Sequence, residues 1–304
     1  MKRIHNFLTK EKKRKSLMSD KLINTNQLSS QLSSNLSNIL FWENSSDTKG
    51  LLLYKKLNFD SSIFGMKMIN IKEILSSDKN NRMISKELLN LLDNKEAIRG
   101  ENYFTIRLPS KNIKLINILE ENGYSFIEVL QTFLLNLENI GDKRDITNVR
   151  MYSKEDLPRI LDIGSSLFVN NRFHLDPYLN NSKCDLLYES WIKNDCTGRS
   201  DFVFVLEEAE KVIGFLTCNI LESENGDGQR GIIDLIAVDS NYRSKNVASR
   251  LTNYMIDCLI DKGINIVEVG TQIHNIPAIN FYHKFGFRYI SSQVTMRKFT
   301  IVDR

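Results

Sequence analysis

From Leu51 onward, short apolar runs and amphipathic stretches alternate between polar turns, and the period of each run predicts its element. LLLYKKL (51–57) and FTIRLP (104–109) read as strands, with a polar helical stretch around Ser85–Leu92 between them. KLINILEENGY (114–124) predicts an amphipathic helix stopped by Gly123, and FIEVLQTFLLNL (126–137) a further strand. This is an α+β block, and the polar run LENIGDKRDITN (137–148) reads as the linker that ends it.

A second block opens with VRMYS and a helix led by Ser153, with Glu155 and Asp156 in its first turn and Pro158 near its start. Another helical stretch covers Leu186–Ile192. FVFVLEE, KVIGFLTCNIL and RGIIDLIAV then predict three consecutive strands, the first two joined by a tight turn near Glu208–Lys211. After the third comes a clean helical stripe, Val247, Leu251, Met255, Cys258 and Leu259, stopped by Gly263. INIVEVGTQ (264–272) is a strand. Asn275 then reads as the cap of a helix with Pro277 in its first turn, Ala278, Phe281 and Phe285 facing the core, and Gly286 at its end.

The first 48 residues differ in texture. Leu28, Leu32, Leu36 and Leu40 recur every four positions among Ser, Asn and Gln, a narrow and drifting stripe that reads as a flexible tail, with a surface-seeking or oligomerising helix as the alternative. The 304-residue chain has a formal charge of +4, but its first fifteen residues carry +6, leaving −2 on the rest. A broad basic face for nucleic acid is therefore not expected. No run of eighteen apolar residues predicts a membrane span, and the tail lacks the apolar core of a signal peptide. Met18 offers an alternative start. Four cysteines, Cys184, Cys196, Cys218 and Cys258, are too widely spaced for a zinc finger and read as free thiols of a cytoplasmic protein; no metal is expected.

Candidate chemistry concentrates between Gly231 and Phe287. Strand 232–238 runs through a short loop into the Val247 helix, whose first amides are unpaired and carry the positive end of the helix dipole. That is an anion site, with Arg243 and Lys245 adding positive charge. Tyr282 follows Asn275 by two helical turns and lies on the same side of the second helix.

These two elements resemble the GNAT-superfamily N-acetyltransferases, whose acetyl-CoA site is a strand, an R/Q-x-x-G-x-G/A loop and a helix, followed by a strand and an N-x-x-A-x-x-x-Y helix. Here the loop is Arg243-Ser244-Lys245-Asn246-Val247-Ala248, and Asn275 to Tyr282 matches the second pattern in full. The loop departs at Asn246, where glycine is usual; asparagine tolerates left-handed backbone well. The chain further resembles the dTDP-fucosamine (dTDP-4-amino-4,6-dideoxygalactose) acetyltransferases from about Leu51 onward. LNFDSSIFGM (57–66), ENGYSFIEVLQTFLLNL (121–137), SSLFVNNRFHLDPYLNN (165–181), YESWIKN (188–194) and TQIHNIPA (271–278) carry that likeness.

The resemblance implies an α+β chain: a flexible tail (1–48), a smaller N-terminal α/β accessory domain (49–140), and a C-terminal GNAT fold (146–304). That fold has a mixed, mostly antiparallel central sheet flanked by helices. It also implies direct transfer from acetyl-CoA to an amine, most specifically that of a nucleotide-linked amino sugar for surface polysaccharide. A GNAT enzyme acting on a protein or small-molecule amine, and a CoA-binding scaffold, remain the alternatives. Leu235, Ile236, Ala237 and Val238 would line the pantetheine, and Arg243, Ser244, Lys245, Asn246, Val247, Ala248 and Ser249 would hold the pyrophosphate. Tyr282 would protonate the leaving thiolate, and Asn275 would orient pantetheine or the Tyr282 region. For the base, Asp234 and Glu268 both stand open, and an amine bound neutral needs neither. Arg172 would meet the acceptor's diphosphate, with Phe173, Tyr188 and Trp191 against base or sugar, Trp191 equally suiting core packing. A homodimer is compatible with this reading.

Overall fold

The computed structural model describes residues 38–43, 49–76, 82–141, 144–165, 171–222 and 228–303. The basic run and the stripe through Leu28, Leu32 and Leu36 lie outside these residues. Among the described residues the chain forms eleven strands and seven α-helices in an α+β arrangement. The described residues fall into two compact units, one from those up to Ile127 together with those from Gln293 onward, the other from those within Glu128–Ser292. The expected division was the 137–148 linker; the contacts instead divide the chain inside two strands, because strand pairing rather than local polarity decides which residues cohere.

In the first unit, β1 (Asn38–Glu43), β2 (Lys49–Lys56), α1 (Asn58–Phe64), β3 (Lys67–Ser76), α2 (Arg82–Glu96), β4 (Gly100–Pro109) and α3 (Ile113–Glu121) follow in order. Asn38–Glu43, which the sequence reading assigned to the tail, pairs antiparallel with β2, Leu40 opposite Leu52. Strands β3 and β4 run parallel, as the crossover through α2 requires. Inward residues of alternating strand positions (Leu52, Tyr54, Ile69, Ile71, Phe104 and Ile106) pack on Ile84, Leu88, Leu92, Leu115 and Leu119 of the helices. Buried Glu96 ties the end of α2 to β2 and β3. Burial alone would raise its carboxyl, but hydrogen bonds from Lys67, Tyr54 and Lys56 hold it down at about 2.

In the second unit come β5 (Ser125–Asn136, beginning in the first unit), β6 (Val149–Met151), α4 (Leu157–Ser165), α5 (Asn181–Asn194), β7 (Phe202–Glu208), β8 (Lys211–Glu222) and β9 (Gln229–Val238). They are followed by α6 (Val247–Ile260), β10 (Ile266–Gln272), α7 (Ile276–Phe285) and the start of β11 (Arg288–Val302), whose remainder pairs antiparallel with β4. The sheet order is β5-β10-β9-β8-β7-β6, parallel at β10/β9 and antiparallel elsewhere. The predicted turn between β7 and β8 is made by Ala209 and Glu210, both with positive φ (48° and 59°), the conformation that matches strand twist in a two-residue hairpin.

Successive strand residues serve opposite faces. Phe204, Leu216, Ile233, Val267 and Val269 pack on α6 and α7, with Leu251, Met255 and Leu259 of the predicted stripe fully buried. Val205, Phe215 and Ala237 pack on Ile160, Ile163 and Ile192 of α4 and α5. Two glycines let α6 approach the sheet closely. A Cβ at Gly214 would lie 2.7 Å from Val247 Cγ1, and one at Gly231 would lie 2.5 Å from Leu259 Cδ1.

Candidate functional site

The site begins where two parallel strands part. Strands β9 and β10 share three ladder positions, Gly231 with Val267, Glu268 with Ile232, and Val269 with Ile233. Beyond these, β9 runs on to Val238 and β10 to Gln272 without pairing to each other, while β9 stays paired with β8 to its end. The edge of β9 from Asp234 to Val238 therefore presents backbone donors and acceptors to a gap, the arrangement that accepts an extended ligand as an extra strand. Leu235, Ile236, Ala237 and Val238, the residues expected to line the pantetheine, all lie on this edge.

At the end of β9 the chain is pinned before it turns into α6. The Asp239 carboxylate accepts the Asn241 amide at 2.9 Å and pairs with the Arg159 guanidinium, whose Nε also donates to the Val212 carbonyl at 3.0 Å. That amide, ahead of Arg159, holds the Asp239 carboxyl below the usual range. Ser244 (φ 62°) and Asn246 (φ 58°) then adopt left-handed backbone, so asparagine performs the turn for which the family pattern uses glycine. No side chain caps α6, which leaves the amides of Val247, Ala248 and Ser249 at the positive end of a 14-residue helix. Arg243 is exposed, while Lys245 lies back over the Tyr242 ring, 4.7 Å from its centroid.

The second motif is built on α7. The Asn275 side chain caps it by accepting the Ala278 amide at 3.4 Å, and its Nδ2 donates to Thr271 Oγ1 at 3.1 Å. Its carboxamide therefore fixes α7 to the end of β10, a positioning role. Tyr282 is 3% exposed, in the same buried cluster as Ile233 and Val269, the last paired positions before the strands part. Its ring centroid is 5.4 Å from both Phe281 and Phe287. Burial pushes the phenol well above its usual range, so it stays protonated.

Of the two candidate bases, the structure separates their circumstances. Glu268 is engaged by Arg230 at 2.7 Å. Asp234 is the extra residue of a bulge, since Cys218 pairs with Ile233 and Thr217 with Leu235. It accepts Asn219 Nδ2 and is open to solvent at its rim. Its carboxyl is nonetheless raised, first by desolvation and then by the nearby Asp195 charge, with Asn219 and Arg199 opposing.

On the other flank, Phe173, Tyr188 and Trp191 form an edge-to-face cluster, with centroids 5.5 Å apart for Phe173–Trp191 and 5.1 Å for Tyr188–Trp191. Phe173 is 4% exposed, so it backs the aromatic wall rather than offering it a contact surface. The Arg172 guanidinium stacks on Phe173 at 4.5 Å. A network not foreseen from sequence orders this segment: Asn171 Oδ1 accepts two backbone amides, its Nδ2 contacts His174 Nδ1 at 2.8 Å, and His174 Nε2 lies 2.9 Å from Asp185. Asn171 is oriented by those amides, so Nδ2 donates and the imidazole proton sits on Nε2, toward Asp185. A cavity of about 260 Å³ opens beside it, lined by Leu161, Asp162, Ser165, Asp185, Tyr188 and Glu189. Nothing in the sequence spacing announced this network, because Asn171, His174 and Asp185 meet only through the fold of the loop before α5.

Among the described residues no group of three or more His, Cys, Asp or Glu side chains is placed to hold a metal ion. No described helix is long and apolar enough to cross a membrane.

Comparison with known proteins agrees with this geometry. Residues 169–287 match the Acetyltransferase (GNAT) family. Spore coat polysaccharide biosynthesis protein SpsD of Bacillus subtilis (strain 168) is 24% identical over 240 residues, 79% of this chain and 80% of that one. N-alpha-acetyltransferase 30 of Schizosaccharomyces pombe is 29% identical over 87 residues, 29% of this chain and 57% of that protein. Among solved structures, a GCN5-related N-acetyltransferase from Sphaerobacter thermophilus superposes with a TM-score of 0.58 at 13% identity, covering 84% of this chain and 82% of that one, a likeness of fold. The chain therefore carries an acetyltransferase domain of the GNAT family, with the GNAT fold, and is an acyltransferase.

Proposed function

We propose that the protein transfers an acetyl group from acetyl-CoA directly to the amine of a nucleotide-linked 4-amino-4,6-dideoxyhexose, in the cytoplasm, for surface polysaccharide synthesis. The observation that carries the acceptor is the match to SpsD, named for spore coat polysaccharide biosynthesis. At 240 residues it extends far beyond the 169–287 segment that acetyltransferases of many kinds share. The match to N-alpha-acetyltransferase 30 spans 87 residues and so speaks for the donor half alone.

The residues present fit acetyl-CoA. The uncapped α6 amides and left-handed 244–246 loop suit a pyrophosphate, and the open β9 edge suits the amides of an extended arm. When bound, acetyl-CoA supplies the activated thioester carbonyl. A backbone N–H near Ala237 or Val238 polarises that oxygen. Asp234 takes the proton from the acceptor nitrogen as the C–N bond forms. Tyr282 delivers a proton to the sulfur as the C–S bond breaks, and the proton held by Asp234 returns to Tyr282 through solvent, so one proton moves in net from nitrogen to sulfur. Arg172 and the Tyr188–Trp191 wall orient the nucleotide diphosphate and sugar.

A ligand that binds only the folded protein stabilises it by about 2.7 kcal/mol at one hundred times its dissociation constant. Acetyl-CoA and dTDP should therefore each raise the melting temperature, and together more than either alone. A rise with acetyl-CoA and none with dTDP would overturn the nucleotide-sugar assignment in favour of a peptide or small-amine acceptor. No response to acetyl-CoA would overturn the donor site.

A further inference from the structure

The turn that ends α5 carries charges that the reaction scheme above leaves without a role. Asp195 is 1% exposed and sits one helical turn beyond Trp191. Its Oδ1 accepts Arg199 Nε at 2.5 Å and Ser200 Oγ at 2.9 Å, with Gly198 at φ 110° turning the chain so that both reach back. Its Oδ2 is buried and has no partner among the described residues. A buried carboxylate with one oxygen unanswered is costly and uncommon. It leaves a negative field that water does not screen.

The turn reaches the bulged residue of β9 through one side chain: Asn219 Oδ1 accepts the amide of Asp201, the residue after Ser200, at 3.1 Å, and Asn219 Nδ2 donates to Asp234. We infer that Asp195 is a positioning residue which, balanced by Arg199, sets the charge environment of the Asp234 carboxylate. This inference rests on the reading of Asp234 as the base. Among the described residues, Asn219 from β8 donates to Asp234, while Asp195 and Arg199 act on it from the turn after α5. Asp201 is committed to the Ile220 amide at 2.7 Å, and Arg230 is paired with Glu268. Desolvation and Asp195 raise the Asp234 carboxyl, whereas Asn219 and Arg199 lower it, and the raised side prevails. A proton acceptor works best when its own affinity for the proton approaches the working pH, so Asp195 makes Asp234 a better base than an isolated aspartate. The bulge is what turns Asp234 out of the ladder to meet this field.

The two charges predict opposite outcomes, which a merely structural role for the turn does not. In the full chain, the Asp234 carboxyl signal is followed by carbon NMR across pH and assigned by its loss in Asp234→Asn. In Asp195→Asn its midpoint should move to lower pH, and in Arg199→Gln to higher pH. With acetyl-CoA and dTDP-4-amino-4,6-dideoxygalactose, the acid limb of kcat/KM should follow the same two directions. The acceptor's own amine titrates identically in every variant. In Asp195→Asn the plateau should fall by roughly tenfold or less. An unmoved midpoint in folded Asp195→Asn would overturn the inference. If that variant does not fold, Arg199→Gln decides alone: a rise supports it and no change overturns it. Midpoints that move while the acid limb stays fixed would instead remove Asp234 as the base, and with it the catalytic meaning of Asp195.

Discussion

Tyr282→Phe should lower kcat for acetyl transfer by about 10²–10⁴, with KM and acetyl-CoA affinity nearly unchanged. The leaving thiolate forms in a site with few positive charges, since Lys245 is folded over Tyr242 and Arg243 lies out in the loop. A phenol held protonated by burial is the donor available where the strands part. The substitution removes one oxygen and keeps the ring against Phe281 and Phe287. With the ring packing kept, the melting temperature should stay within about 2 °C. Steady-state kinetics with a separate measurement of acetyl-CoA binding checks this. Near-wild-type kcat in the folded variant would mean that water or another residue donates the proton.

Ala248→Glu should weaken acetyl-CoA binding by about 100-fold or more, about 2.7 kcal/mol. Residue 248 is the second of α6, and its amide is one of three left uncapped. A glutamate there puts a carboxylate where phosphate oxygens belong and competes for the same amides. The same change favours the helix itself, because negative charge in a first turn complements the dipole by about 0.3–1 kcal/mol. Loss of binding with unchanged or raised stability is the expected pair of results, read by calorimetry and thermal denaturation. Retained affinity would move the pyrophosphate elsewhere. Lys245→Ala should cost less than tenfold by comparison, because the ammonium rests on Tyr242 and the proposed anion site is made by backbone amides.

Much of the donor half was legible because its signals are local. The Val247–Leu259 stripe, the cap at Asn275, and the left-handed turn at Asn246 each follow from a few adjacent side chains, and the structure has all three. The tight turn near Glu208–Lys211 was readable for the same reason. What the sequence withheld depends on pairing between distant residues. Asn38–Glu43 looked like the end of a tail because Ser and Asn surround it, yet a four-residue apolar run suffices once β2 lies alongside. β3 and the 15-residue β11 carried no turn signature strong enough to name them, and the pairing of β11 with β4 spans most of the chain. Gly214 gave no sign of its role, because the close approach of Val247 exists only after α6 folds back on β8. The bulge at Asp234 was equally invisible: a nearly continuous apolar run on both sides of one aspartate does not show which residue leaves the ladder. The Asp195–Arg199 turn was hidden for the opposite reason. Its spacing of four is that of an ordinary exposed helical ion pair, and burial of Asp195 is what changes its meaning.

The most direct measurement offers the full-length protein acetyl-CoA with dTDP-4-amino-4,6-dideoxygalactose and, in parallel, with a peptide bearing a free N-terminus. Thiol release is followed together with the mass of each acceptor. Acetylation of the sugar amine with kcat/KM at least ~100-fold above that of the peptide is the predicted result. Acetylation of the peptide with the nucleotide sugar left unmodified would contradict it.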